Sequence, residues 1–290
     1  MNSFTLKPLS QQTVVVFGAS SGIGRVTALE MGKKGAKVVL AARRKAELEA
    51  VAALITAEGG QALVTPADTA EFDQVKNVAD QAVRQFGGID TWAHVAGAGL
   101  YGRFWDLPPE DFARSVQINL MGQVYGAMAA LPPLRQRGSG ALIHVSSVES
   151  EIGAPYQSAY AAAKHGMKGF IDVLRMEVEH EGLPVSVTNI KPSSIDTPFF
   201  KSARTYLGVE PKAIPPVYPP ERVARAILEA AETPAGDVIV GEAGHAAVWS
   251  KRLMPGIADA VVKNTAFDSQ LTQTPKSATA VNDGLNRLAG

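Results

Sequence analysis

Short apolar runs alternate with longer segments of helical period along most of this chain, the pattern of repeated βαβ units around a parallel sheet. The first run, Thr13–Phe17, has no polar break, as expected for a central strand covered on both faces. A glycine turn and a helix to about Lys34 follow it. Lys37–Ala41, Gln61–Thr65 and Ile89–Val95 read as the next three strands, separated by helices over Arg44–Glu58 and Glu71–Phe86. Both helices stop at Gly-Gly pairs, a C-cap signal. A long helix is predicted over Pro109–Gln136, its start marked by Pro108–Pro109 and the acids Glu110 and Asp111. Ala141–Val145, a helix over Tyr156–Glu181, and strands at Val185–Ile190 and Val238–Val240 complete the series.

Right-handed crossovers then give a doubly wound Rossmann fold of the α/β class. Its parallel seven-stranded sheet has order 3-2-1-4-5-6-7, with helices on both faces. The pattern reads as a single domain over residues 1–264. Residues 198–220, rich in proline and aromatics, are too long for an ordinary connection and read as a substrate loop. Ala246–Val262 reads as short amphipathic helices. Residues 265–290 hold few large apolar side chains and are expected to form a mobile C-terminal tail.

Composition narrows the chemistry. Basic and acidic residues balance at 28 each, for a net charge of +0, which argues against nucleic acid or an anionic membrane as partner. There is no cysteine, and the five histidines show no metal-ligand spacing, so no metal site is expected. No stretch approaches the roughly 20 apolar residues of a membrane span, and the N-terminus lacks a secretory pattern, so a cytoplasmic protein is expected.

After the first strand comes Gly18-Ala-Ser20-Ser21-Gly22-Ile23-Gly24. Glycines there permit turns with φ > 0 and leave no Cβ between backbone and ligand. A helix opening near Gly22 aims free N–H groups and its positive dipole end at a pyrophosphate. The second strand ends Ala41-Ala42-Arg43-Arg44, with no acid where an NAD-binding chain would carry one for the ribose hydroxyl. A guanidinium pairs with a 2′-phosphate, so NADP(H) is the expected cofactor. The plainer reading is that Arg43 and Arg44 start a solvated helix, but cations are unhelpful at a helix N-terminus. Tyr160 and Lys164, at i and i+4, share one helix face, where an ammonium can lower a phenol's pKa from about 10.

With these motifs in order over about Thr13–Gly241, the sequence resembles the short-chain dehydrogenase/reductase family, shorter-subunit type. The resemblance implies a catalytic set of Asn119, Ser147, Tyr160 and Lys164. Ser147 stands thirteen residues before Tyr160 and twenty-eight after Asn119, and the adjacent Ser146 is off by one. It also implies cofactor contacts from the glycine loop, from Asp68 to the adenine, from Ala96 and Gly97, and from Pro192, Ile195 and Thr197 beside nicotinamide and phosphate. The implied reaction passes hydride between nicotinamide and a carbinol carbon. Ser147 would polarise the substrate oxygen and Tyr160 move its proton. Lys164 would hold the ribose, and Asn119 would orient a water leading to solvent. A homodimer or homotetramer is implied as well.

The sequence departs from the family at Phe17, where Thr is frequent, at His94-Val95, where two asparagines are usual, and at Ser193, where glycine is usual. His94 could be a structural substitute, a pocket residue or a sign of drift; the structural reading is favoured. Phe199, Phe200, Tyr206 and Tyr218 either wall the substrate site or pin the long loop. Glu149 and Glu151 could face a polar or cationic substrate group, with a solvated rim the favoured reading. A ketone or secondary alcohol is the expected small-molecule substrate. The alternatives are an NADP(H)-binding sensor with little turnover and a dehydratase, epimerase or extended-type member of the family.

Overall fold

The computed structural model describes residues 4–278 and 283–286. Seven parallel strands form the central sheet: β1 Thr13–Phe17, β2 Lys37–Ala42, β3 Gln61–Pro66, β4 Thr91–His94, β5 Gly140–Val145, β6 Val185–Pro192 and β7 Asp237–Val240. Their spatial order is β3-β2-β1-β4-β5-β6-β7, as the alternation of runs predicted. Every residue of β1 is buried, and successive side chains go to opposite faces. Val14 and Val16 join the core beneath α1 (Gly22–Lys33), α2 (Lys45–Ala57) and α7 (Pro220–Glu232). Val15 and Phe17 join the core beneath α3 (Phe72–Phe86), α5 (Gly122–Arg137) and α6 (Ser158–His180).

The helix predicted over Pro109–Gln136 is continuous but not uniform. α4 (Pro109–Val116) runs through a π-helical turn, Gln117–Met121, into α5. Such turns insert a residue and frequently mark functional positions; this one carries Asn119.

Beyond β7 the chain differs from the expected tail. Helices α8 (Glu242–Leu253) and α9 (Pro255–Ser269) lead into a strand, Leu271–Pro275, which pairs antiparallel with Val209–Pro211 of the long loop. Asp283 binds Arg204 through both carboxylate oxygens (2.6 and 3.1 Å), and Leu285 is buried against Leu100 and Ile118. Main-chain pairing, the Arg204–Asp283 ion pair, the buried Leu285 and hydrogen bonds from Arg43 and Arg114 to the Asn286 and Leu285 carbonyls hold a segment whose composition offers little core. The rest of the expected tail lies outside the described residues.

Candidate active site

The C-terminal ends of β1, β2 and β4 open onto a cleft of about 460 Å³. Gly18 turns the chain with φ +101°, and a Cβ on it would stand 2.7 Å from Ala96 N. At Gly24 a Cβ would stand 2.1 Å from Gly18 O, so the loop tolerates no side chain at either place. Ser21 caps α1 without a side-chain hydrogen bond, which leaves first-turn N–H groups for an anion. Ser20, Ser21, Gly22, Ile23, Ala96, Gly97 and Thr197 line the same cleft. This donor set and glycine cradle fit a dinucleotide.

Arg43 and Arg44 border the far end, with no carboxylate at the end of β2. Burial lowers the Arg43 pKa, Asp68 opposing and Arg114 and Arg44 adding to it. Its guanidinium also donates to the Asn286 carbonyl, so the chain's last described residues reach this end of the cleft. Arg44 pairs with Glu47 at 3.2 Å on the surface. Asp68 is buried between Ala67 and Thr69, which line the cleft, and its carboxylate takes Arg114 (2.6 Å) and the Ala70 N–H (3.0 Å).

A second chamber, about 430 Å³, continues from the cleft and shares Ile23, Val95, Gly97, Thr197 and Phe199 with it. Ser147, at the end of β5, and Tyr160 and Lys164, on α6, face this space, as do Pro192 and Ile195. Ser147 acts against burial to lower the pKa of the Tyr160 phenol, whereas the buried Ser146 hydroxyl finds no partner among the described residues. Lys164 donates to the Val145 carbonyl (3.1 Å), and its ammonium lies 5.4 Å from the centre of the Tyr160 ring.

The expected tuning of the phenol is altered here. Burial, reinforced by Glu149, holds Tyr160 above the usual tyrosine range, and the Ser147 hydrogen bond opposes this. Burial also takes Lys164 down to about 8, against the pull of Glu149.

Asn119 is fully buried, and its amide is spent on structure. Nδ2 donates to the Ala98 (2.8 Å) and Ser115 (3.0 Å) carbonyls, while Oδ1 accepts from Ala98 N (3.0 Å). The missing asparagines after β4 are replaced by a network. Trp92 Nε1 donates to His94 Nδ1 (3.3 Å), leaving Nε2 for Thr69 (2.9 Å), and the ring stacks on Phe17 at 4.8 Å. His94 is thus a structural residue. Gln123 donates to the His94 and Ala96 carbonyls (both 3.3 Å) and accepts from His144 (2.8 Å). Nothing in the sequence pattern singled out Gln123 or His144, since a lone buried polar side chain has no periodic signature.

The aromatic candidates divide. Phe199 and Phe200 wall the chamber, Phe199 standing edge-on to Tyr160 at 5.6 Å. Tyr206 instead donates to Asp111 (2.5 Å), and Tyr218 accepts from Ala243 N (3.0 Å), so both pin loops. Neither glutamate forms a solvated rim. Glu151 pairs with Lys191 (2.6 Å) and Arg252 (3.0 Å), while Glu149 faces the chamber.

A family model described as short chain dehydrogenase matches residues 12–207. The sequence is 39% identical over 274 residues to the uncharacterized oxidoreductase YxnA of Bacillus subtilis, covering 94% of this chain and 77% of that one. It is 32% identical to a 3-ketodihydrosphingosine reductase of Bos taurus, over 74% and 67% of the two chains. A short-chain type dehydrogenase/reductase from Mycobacterium marinum has a similar structure, with TM-score 0.70 at 26% identity, covering 80% of this chain and 94% of that one.

Proposed function

This chain belongs to the short-chain dehydrogenase/reductase family, and we propose that it is an NADP(H)-dependent oxidoreductase acting on a ketone or secondary alcohol, with Tyr160 moving the proton. The observation that carries this reading is the shared chamber. Ser147, Tyr160 and Lys164 converge on it where it meets the glycine-lined cleft. The bound nicotinamide would supply or accept the hydride. Every other part of the chemistry falls to side chains.

Ser147 and the Tyr160 phenol, which face the same chamber, would both donate to the substrate oxygen, stabilising charge as an alkoxide develops. A buried phenol held above its ordinary pKa is protonated at neutral pH, ready to give its proton in the reducing direction. Lys164, beside the ring, would offset the charge left on the phenolate and hold the ribose hydroxyls. Asn119 would act by fixing the Ala96–Ala98 loop against the nicotinamide, with a water leading onward to solvent. Gly18, Ser20, Ser21, Gly22, Ile23 and Gly24 would cradle the pyrophosphate. Arg43 and Arg44 would take the 2′-phosphate, which favours NADP(H) over NAD(H).

We further infer a homodimer or homotetramer. Met128 on α5, and Val173 and Met176 on α6, leave apolar side chains at least half exposed on two neighbouring surface helices. A screen of carbonyl compounds followed by NADPH absorbance tests the activity. Turnover that is lost in Tyr160→Phe supports the reading; NADPH binding without turnover of any carbonyl overturns it.

A further inference from the structure

Asp283, Gly284 and Asn286, near the end of the chain, line the cofactor cleft together with Arg43 and Arg44. They belong to a turn built from within. Asp283 Oδ1 accepts the backbone N–H groups of Leu285 and Asn286 (both 3.0 Å), a local substitute for the main-chain ladder that so short a segment lacks.

The turn is anchored on several sides. Arg204, from the long loop, donates to both Asp283 oxygens (2.6 and 3.1 Å) and to Asn286 Oδ1 (2.8 Å). Gly284 N donates to the Ser202 carbonyl (2.7 Å), and Arg114, on α4, donates to the Leu285 carbonyl (3.2 Å). A Cβ on Gly284 would stand 3.0 Å from the Ala98 Cβ, so the turn lies close against the loop after β4.

This fixed frame presents the Asn286 carbonyl to the partly buried Arg43 guanidinium. Among the described residues that carbonyl is the guanidinium's one hydrogen-bond partner, and no carboxylate pairs with it. A guanidinium has five N–H donors, so one neutral acceptor leaves most of them, and the whole positive charge, to a ligand. Arg44, by contrast, is exposed and paired with Glu47. Ordering a long, flexible side chain opposes binding, and a carbonyl that already holds it removes part of that cost.

We propose that the turn Asp283–Asn286 is a positioning element of the NADP(H) site, whose Asn286 carbonyl holds the Arg43 guanidinium in place for the 2′-phosphate. This rests on the NADP(H) reading above. Cofactor preference is then set jointly by the end of β2 and by a residue 243 positions further along the chain.

The test is calorimetric Kd for NADPH and NADH on the full chain, in the wild type, Gly284→Val, Arg43→Ala and the double variant. Valine at 284 removes no charge and no hydrogen-bonding group, and its added carbons press on Ala98 and displace the turn. The wild type should prefer NADPH by about tenfold or more. Gly284→Val should cut that preference about fivefold through the NADPH Kd, and move the NADH Kd by less than about twofold. A merely structural turn would weaken both cofactors alike. In the Arg43→Ala background the same change should alter the preference by less than about twofold, because the group that the turn positions is gone.

An unchanged preference in Gly284→Val, tighter NADPH binding in it, or an equal loss with and without Arg43 would overturn the proposal. A wild type that binds NADH as tightly as NADPH removes the NADP(H) reading and the proposal with it. A preference for NADPH that ignores the turn removes the proposal alone. Should Gly284→Val not fold, as judged by Tm, Asp283→Ala, which removes the Arg204 ion pair and the turn's own hydrogen bonds, is read against the same values.

Discussion

Arg43 stands just past the end of β2 at the edge of the glycine-lined cleft, and the proposed function gives it, with Arg44, the 2′-phosphate of NADP(H). One charge-assisted pair to a 2′-phosphate is worth about 1.5–3 kcal/mol, or roughly 10- to 150-fold in affinity. Arg43→Ala should therefore raise the KM for NADPH by about that factor and leave NADH nearly unchanged. Equal effects on both cofactors would remove the assignment. At this scale the sequence was most informative where chemistry has a short-range signature: Tyr160 and Lys164 one helical turn apart, and arginines in place of an acid. It was least informative for Glu149, because exposure depends on what the rest of the chain lays over a residue. Gln157, whose amide favours the charged form of Glu149 against burial, is held by Gln270, 113 residues away. Asp68 shows the converse, a family position whose carboxylate Arg114 takes up.

Strands β4 and β5 lie side by side with His94 and His144 in register, two imidazoles under the catalytic edge. Burial, helped by nearby Lys164, takes His144 down to about 3, and burial also drives His94 well below its ordinary value. Both are neutral when folded, while the unfolded chain takes up their protons below about pH 6.5. Their stabilisation is full above that pH and is lost below it, at up to about 1.4 kcal/mol per pH unit for each histidine. The Tm should fall as pH drops from about 6.5 to 5, above the range where ordinary carboxylates titrate, with the Glu149 carboxyl, which burial raises and only the folded chain protonates in this window, offsetting part of the fall. His144→Asn should make that fall shallower; a Tm flat across the window, or a fall unchanged in the variant, would contradict this account. The sheet itself was legible, since strands buried on both faces need unbroken apolar runs. The strand Leu271–Pro275 was not, because a polar, proline-bounded segment owes its structure to pairing with Val209–Pro211.

At the scale of the whole molecule, the glycine cleft and the apolar chamber meet along one edge of the sheet, and the long loop and the C-terminal segment close around them. The exposed Met128, Val173 and Met176 lie on the outer surface. Light scattering at micromolar concentration should give a dimer or tetramer, and a monomer there would remove the oligomer from this account. The central claim is that Tyr160 protonates a carbonyl as NADPH delivers its hydride. Its most direct test is mass spectrometry of the alcohols formed from a ketone panel with NADPH carrying deuterium at the transferred position. The account predicts one deuterium on the carbinol carbon with the wild type. It predicts a loss of labelled product of about 100-fold or more in Tyr160→Phe, while NADPH still binds. Tight NADPH binding with no labelled alcohol from any ketone, or undiminished labelling by Tyr160→Phe, would contradict it.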